Sequence, residues 1–151
     1  MSLRDLAGEK PKRGRFTRTL TRRDVRRIKK RGYDAERELV QKLREAGFDA
    51  VRVPVSAPSS EPLPDVFAIK GDAILAFEVK SQERYAYYKR AQVEKLHSFL
   101  QIHRYYPRRV AVLAAKFKYK GWAFMVAEKP GDYSLKLGEG LTFRDLTRRF
   151  E

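Results

Sequence analysis

The stretch Pro64-Asp65-Val66-Phe67-Ala68-Ile69-Lys70-Gly71-Asp72-Ala73-Ile74-Leu75-Ala76-Phe77-Glu78-Val79-Lys80 decides how this chain is read. Two apolar runs, Val66 to Ile69 and Ala73 to Phe77, flank the turn residues Lys70, Gly71 and Asp72. That pattern predicts a β-hairpin. Side chains at i and i+2 of a strand share a face, so Glu78 and Lys80 point one way and Val79 the other. If the two runs pair, Asp65 stands beside Glu78, and two carboxylates and an amine converge on one spot.

Hard oxygen ligands next to a cation suit Mg²⁺, and hydrolysis of a phosphodiester is chemistry that such a set supports. Singly the residues say little. A Pro-Asp pair is a common turn, and an exposed Glu-X-Lys ion pair is worth under ~1 kcal/mol. Phe77 and Val79, however, set Glu78 inside a strongly apolar strand. A carboxylate there needs a partner, and a metal is a good one.

Working outward, Ser56 to Leu63 holds three serines and two prolines and reads as a loop. Phe48 to Val55 reads as a first strand with one buried face. Before it, Ala35, Leu39, Val40, Leu43 and Ala46 follow helical spacing, with Gly47 as a C′ residue and Phe48 folding back on the last turn. Further upstream, Thr21 or Asp24 is placed to cap a helix starting near Val25. Residues 1–23 read as a mobile basic arm. The alternative is a tail without a role.

Downstream, Ser81 to Tyr88 is polar and aromatic and reads as a loop or an irregular entry to the next helix. Ala91, Val93, Leu96, Phe99, Leu100 and Ile102 predict a helix from Lys89 to Arg104, stopped by Tyr106-Pro107. Strands are expected over Val110 to Ala115 and Trp122 to Ala127, joined by a hairpin with Gly121 at a positive φ. A last helix spans Thr142 to Phe150, with Thr142 as N-cap. The order predicts one α/β domain over residues 24–151, with a mixed β-sheet flanked by helices. The first three strands form an antiparallel meander, and the second helix carries a crossover back to the sheet.

The 151 residues include no cysteine, which excludes disulfides, zinc thiolate sites and thiol nucleophiles. The formal net charge is +15, and about two-thirds of it lies in residues 1–31. Such a field makes nucleic acid the default partner. No apolar stretch is long enough to span a bilayer, and the basic start lacks the apolar core of a secretory signal, so no membrane partner and a cytoplasmic, nucleoid-associated location are expected.

Other candidates are weaker on residue chemistry alone. Glu36 sits on the first helix, where a simple helix-surface pair is the commoner reading. Arg37 and Arg52 are candidate phosphate contacts; Arg52 reads as functional if it lies on the face of Asp65, and as a solvated charge otherwise. Ser56 and Gln92 are each placed to reach a phosphate, although a loop serine and a surface glutamine are the commoner readings. Tyr85, Tyr87 and Tyr88 suit stacking on bases or packing a lid. His97 and His103 do not share a helix face and are not read as ligands. A glycine-rich phosphate loop and a serine–histidine triad are both absent.

With these residues placed, the chain resembles the archaeal Holliday junction resolvases, the Hjc/Hje family of the PD-(D/E)xK nuclease superfamily. The resemblance covers residues 29 to 127 and rests on an ordered set. Arg31-Gly32 precedes Ala35-Glu36-Arg37-Glu38-Leu39-Val40 and Gly47-Phe48. Val51-Arg52 leads to Ser56, Pro64-Asp65-Val66 and Phe77-Glu78-Val79-Lys80. Tyr88, Arg90 and Gln92 follow, then Phe117 and Gly121-Trp122.

The resemblance implies a restriction-endonuclease-like fold and a Mg²⁺-dependent crossover junction endodeoxyribonuclease, with Mn²⁺ as a substitute ion. Glu36, Asp65 and Glu78, with the Val79 carbonyl, are the implied metal ligands. Lys80 is the group that positions the attacking water, and Ser56 joins the catalytic set. The implied DNA contacts are Arg37, Arg52, Ser56, Arg31, Lys30, Tyr88, Arg90 and Gln92. The implied assembly is a homodimer on four-way junction DNA, and the aromatic-rich segment with Phe117, Tyr119, Trp122 and Phe124 suggests apolar surface for it. A sliding clamp or a branch-migration factor is a candidate partner. Another nuclease of the superfamily, or a non-catalytic basic DNA-binding protein, are the rival readings.

Overall fold

A computed structural model describes residues 19–54 and 60–151. Helix α1 spans Arg22–Glu45. Thr21 Oγ1 accepts the Asp24 N–H at 3.1 Å, and Asp24 Oδ2 accepts the Thr21 N–H at 3.0 Å. This reciprocal box nucleates the helix. The start therefore comes before the expected Val25, and the last residues of the expected arm, Arg22 and Arg23, are helical. At the other end Gly47 takes φ 89°, while Gly47 N–H donates to Arg44 O and Phe48 N–H to Leu43 O, each at 3.0 Å. That is the double closure glycine makes possible at a helix end.

Strands β1 (Asp49–Arg52), β2 (Val66–Lys70) and β3 (Ala73–Gln82) follow. They form the expected antiparallel meander, with Arg52 opposite Val66 and Val66 opposite Phe77. β1 is shorter than the expected Phe48 to Val55, because Pro54 has no N–H to continue the ladder. Helix α2 (Arg90–Ile102) crosses back to β5 (Arg108–Phe117), which pairs parallel with β3 over ten residue pairs from Ala73–Arg108 to Gln82–Phe117. β6 (Gly121–Val126) closes the sheet antiparallel to β5, in the order β1-β2-β3-β5-β6. Thr142 caps the last helix, α3 (Phe143–Arg148).

One expectation fails outright. Tyr85–Tyr88 is not a loop but strand β4, paired antiparallel with β7 (Tyr133–Lys136) in a separate two-stranded sheet. The alternating exposed and buried pattern of Tyr85, Ala86, Tyr87 and Tyr88 is that of a half-buried strand.

The sheet separates two cores. On one face Leu75, Phe77, Val79, Val112 and Ala114 pack with Ala35, Leu39 and Leu43 of α1 and with Leu146 of α3. On the other, Ile74, Ala76, Leu113 and Ala115 pack with Val93 and Leu96 of α2 and with Tyr88 and Leu135 of the small sheet. The alanines let helices approach closely on both sides. β3, covered on both faces and hydrogen-bonded on both edges, is the centre of the molecule. Among the described residues no helix is long and apolar enough to cross a membrane.

Candidate active site

Along β3 the buried run ends at Phe77, and Glu78, Lys80 and Ser81 are half-buried. Glu78 and Lys80 continue the Ile74–Ala76 face, the side of α2. The β2–β3 register, extended by one residue past Val66–Phe77, sets Asp65 opposite Glu78. Asp65 N–H donates to Phe77 O at 3.0 Å, and Asp65 Oδ2 accepts the Val79 N–H at 2.8 Å. The aspartate is thereby fixed by backbone on both sides of Glu78. The convergence expected from the sequence is present in the fold.

The electrostatics follow. Burial and the neighbouring Asp65 charge push the Glu78 carboxyl up to about 8, against the pull of Lys80. Burial also raises Asp65, opposed by the Val79 N–H and by Lys80. Two carboxyls held side by side in a half-dry site repel one another, and Lys80 offsets only part of the cost. A hard divalent cation suits that donor set. Lys80 Nζ lies 5.8 Å from the centroid of the Tyr88 ring.

Glu36 reaches the edge of this site from α1. Its Oε2 accepts Arg52 Nε at 2.5 Å, and burial raises its pKa against that bond. The Glu36 charge still acts on Glu78. Its oxygen is committed to arginine, however, and among the described residues no three acidic or histidine side chains stand grouped closely enough to enclose an ion as they lie.

Arg52 meets neither sequence expectation. Its side chain lies on the α1 face with Ala50, not on the face of Asp65, yet it is not a solvated charge. It is clamped between Glu36 and the Tyr33 ring, whose centroid is 4.5 Å from the guanidinium carbon. Tyr33 escaped the sequence reading, although its spacing from Glu36 places both on one helix face.

The remaining candidates divide. Lys30 and Arg37 are exposed and each pairs loosely with Asp34, at 3.5 and 3.4 Å. Arg31 lines the groove between α1 and the β5–β6 turn. Arg90 is exposed and pairs with Glu94 at 2.9 Å. Gln92 caps its own helix, its Oε1 accepting the Lys89 N–H at 3.0 Å. Tyr88 is corrected: it is fully buried, with its hydroxyl donating to Ala114 O at 2.6 Å, so it supports the site from below and has no face to offer DNA. Tyr85 and Tyr87 keep exposed rings. Ser56 lies outside the described residues. Of the four aromatics expected to supply apolar surface for pairing, Phe117 and Phe124 are consumed by the chain's own core.

The family model described as archaeal Holliday junction resolvase (hjc) matches residues 27–151. The match begins inside α1, so the first helical turn and everything before it lie outside the family pattern. The crossover junction endodeoxyribonuclease Hje of Saccharolobus solfataricus is 41% identical over 122 residues, covering 80% of this chain and 89% of that protein. The Hje of Sulfolobus acidocaldarius is 50% identical over 88 residues, 58% of this chain and 62% of that one. Among solved structures, Hjc of Archaeoglobus fulgidus, a Holliday junction resolvase, superposes with a TM-score of 0.63 at 27% identity, over 77% of this chain and 99% of its own.

Proposed function

This chain belongs to the archaeal Holliday junction resolvase family, and from that premise we propose that it is an endodeoxyribonuclease that cuts four-way DNA junctions by paired symmetric nicks in recombination and repair. The observation that carries the reading is the placement of Asp65 opposite Glu78, with Lys80 on the same face of the central strand. A non-catalytic DNA-binding protein has no need of two carboxyls held together against their own repulsion.

Asp65, Glu78 and the Val79 carbonyl would hold Mg²⁺, or Mn²⁺ in its place, with Glu36 adding negative charge at the rim. When bound, the ion supplies the positive charge that lowers the pKa of a water and offsets charge growing at phosphorus. The protein's own groups do the positioning. The Val79 N–H keeps the Asp65 carboxylate from rotating away. Lys80, backed by the Tyr88 ring, orients the attacking water and stabilises the developing negative charge. Water attacks phosphorus in line with the departing 3′ oxygen, leaving a 5′ phosphate.

The exposed Lys30, Arg31, Arg37 and Arg90 contact phosphates, so shape rather than base sequence sets the preference. Ser56 adds a hydroxyl contact to phosphate. A homodimer puts two such sites on opposed strands of one junction. A sliding clamp or a branch-migration factor delivers the substrate, in the cytoplasm.

Cleavage of an immobile four-way junction, with flap and linear duplex DNA alongside, tests this with Mg²⁺ and again with EDTA. Paired nicks in the junction that need the metal are expected. Binding without metal-dependent cutting would leave only a basic DNA-binding protein, and equal cutting of linear duplex would point to another nuclease of the superfamily.

A further inference from the structure

We propose that the tip of the β5–β6 hairpin recognises the branch itself, with the Tyr119 ring stacking on the base pair whose face the branch point leaves uncovered. This goes beyond the acid pair and rests on the junction-nuclease reading above. Tyr119 is 92% exposed and sits at φ 61°, the only non-glycine with a positive φ among the described residues. That backbone region is costly for a residue with a Cβ. A large ring held out in water by a strained turn gains nothing in packing, and strain of this kind collects at sites of function.

Its surroundings select the partner. Lys118 and Lys120 flank the ring in sequence, and Lys118 Nζ lies 5.3 Å from its centroid. A groove of about 480 Å³ opens between this tip and α1, lined among others by Arg31, Lys116, Lys118 and Tyr119. Two carboxylates also line it, each already in ion pairs, Glu38 with Lys116 and Asp34 with Lys30 and Arg37. Cations along a groove that ends in an open aromatic ring suit a nucleic-acid strand: the cations follow phosphates and the ring takes a base face.

The position fits as well. Lys118 N–H donates to Gln82 O at 3.0 Å, so the hairpin extends β5 just past the end of β3. Lys80 lies beside Ala115. The Tyr119 backbone is therefore about 13 Å beyond Lys80 along the strand direction, at about 3.3 Å per residue. The groove lies on the α1 face and Lys80 on the α2 face of the same sheet end. An ion pair from Lys116 to Glu38 ties the base of the hairpin to α1 and holds the tip in place. In continuous duplex every base pair is covered on both faces. At a four-way branch opened by the protein the bordering pairs lose their coaxial neighbour and expose one face, so a stacking ring there favours branched over linear DNA.

The test compares full-length wild type, Tyr119→Asn and Tyr119→Trp. Asparagine tolerates the left-handed backbone better than most residues, so the turn is kept while the ring is lost. Dissociation constants are measured for an immobile junction and for a linear duplex in Ca²⁺ at fixed salt. Fluorescence of 2-aminopurine bordering the branch reports stacking. Wild type should prefer the junction and quench the probe. Tyr119→Asn should weaken junction binding about tenfold or more, leave duplex binding within twofold and lose the quench, and Tyr119→Trp should restore both. An unchanged junction-to-duplex ratio with the quench intact, or an equal loss on both DNAs, would overturn the proposal while wild type still cuts junctions in Mg²⁺. A wild type that neither prefers nor cuts junctions would overturn the junction-nuclease reading and this one with it.

Discussion

Arg52 and Glu36 meet at 2.5 Å and join the middle of α1 to the end of the edge strand β1. Each side chain is mostly buried, and the pair stands beside Asp65 and Glu78, whose pKa values feel it. The contact therefore carries both architecture and charge.

Removing one partner leaves the other half-dry and unpaired. Arg52→Ala should cost about 1–3 kcal/mol of stability, and Glu36→Gln should cost less because the amide keeps a hydrogen-bond acceptor. Chemical denaturation of both single variants and of the double variant measures the coupling. Strict additivity would mean that the two side chains do not stabilise one another.

Asp65→Asn, Glu78→Gln and Lys80→Ala should each reduce junction cleavage by about 100-fold or more, the range of a lost catalytic group. Junction binding should stay within a few-fold, because the basic surface is untouched. Single-turnover cleavage in Mg²⁺ and gel shifts in EDTA check the two halves. Wild-type rates in any two variants would remove the site from this strand pair.

The raised carboxyls make stability depend on pH. In the unfolded chain Glu78 gives up its proton near 4.5, whereas in the fold it keeps it until about 8. The folded state binds more protons across that window, so stability falls as pH rises through it. The contribution is fully present below the unfolded value and is gone above the folded one. Metal-free protein should thus lose melting temperature from pH 4.5 to 8. Glu78→Gln should flatten the curve and be about 1–3 kcal/mol more stable than wild type at the alkaline end, part of the full shift being screened because the carboxyl is half-open to water. Mg²⁺ should raise the wild-type melting temperature most at that same end. A wild-type curve parallel to that of the variant would refute the cause given for the shift.

The chain before Thr21 is dense in arginine and lysine. Deleting residues 1–20 keeps the Thr21–Asp24 box, so α1 should survive the cut. The truncation should shallow the dependence of log affinity on log salt and weaken junction and duplex DNA by similar factors, since each phosphate neutralised releases counterions regardless of shape. A salt series on both DNAs decides it. Loss of junction preference with duplex affinity intact would make the segment a recognition element instead.

The hairpin that carries the acids was legible because its signals are local: two apolar runs, a Lys70-Gly71-Asp72 turn and a period of two. Face assignment for Glu78 and Lys80 followed from pleating alone. The capping residue Thr21 was legible too, but the first helical turn was not, because Arg22 and Arg23 look the same in a basic arm and on a solvated helix face. β4 stayed hidden because its strand signal, three tyrosines around Ala86, is only four residues long and its partner β7 lies far along the chain. The same distance hid the fate of Tyr88, whose hydroxyl partner, Ala114, belongs to β5. The setting of Arg52 is not legible locally, since strand alternation tells which face a side chain takes, while the partners there, Glu36 and Tyr33, come from a helix.

The parallel pairing of β3 with β5 has a consequence in time. Everything that supplies acid and amine, from Glu36 to Lys80, emerges from the ribosome before β5 exists. Until residues 108–117 arrive, one whole edge of the strand bearing Glu78 and Lys80 has no neighbour. Pairing of that sequence separation forms late, because the intervening chain must be closed first. A nascent or truncated chain therefore holds the groups of a nuclease without their geometry. The cell meets the cutting activity only once the whole domain has closed, and amide exchange at Phe77 to Lys80 should be among the slowest in the folded protein.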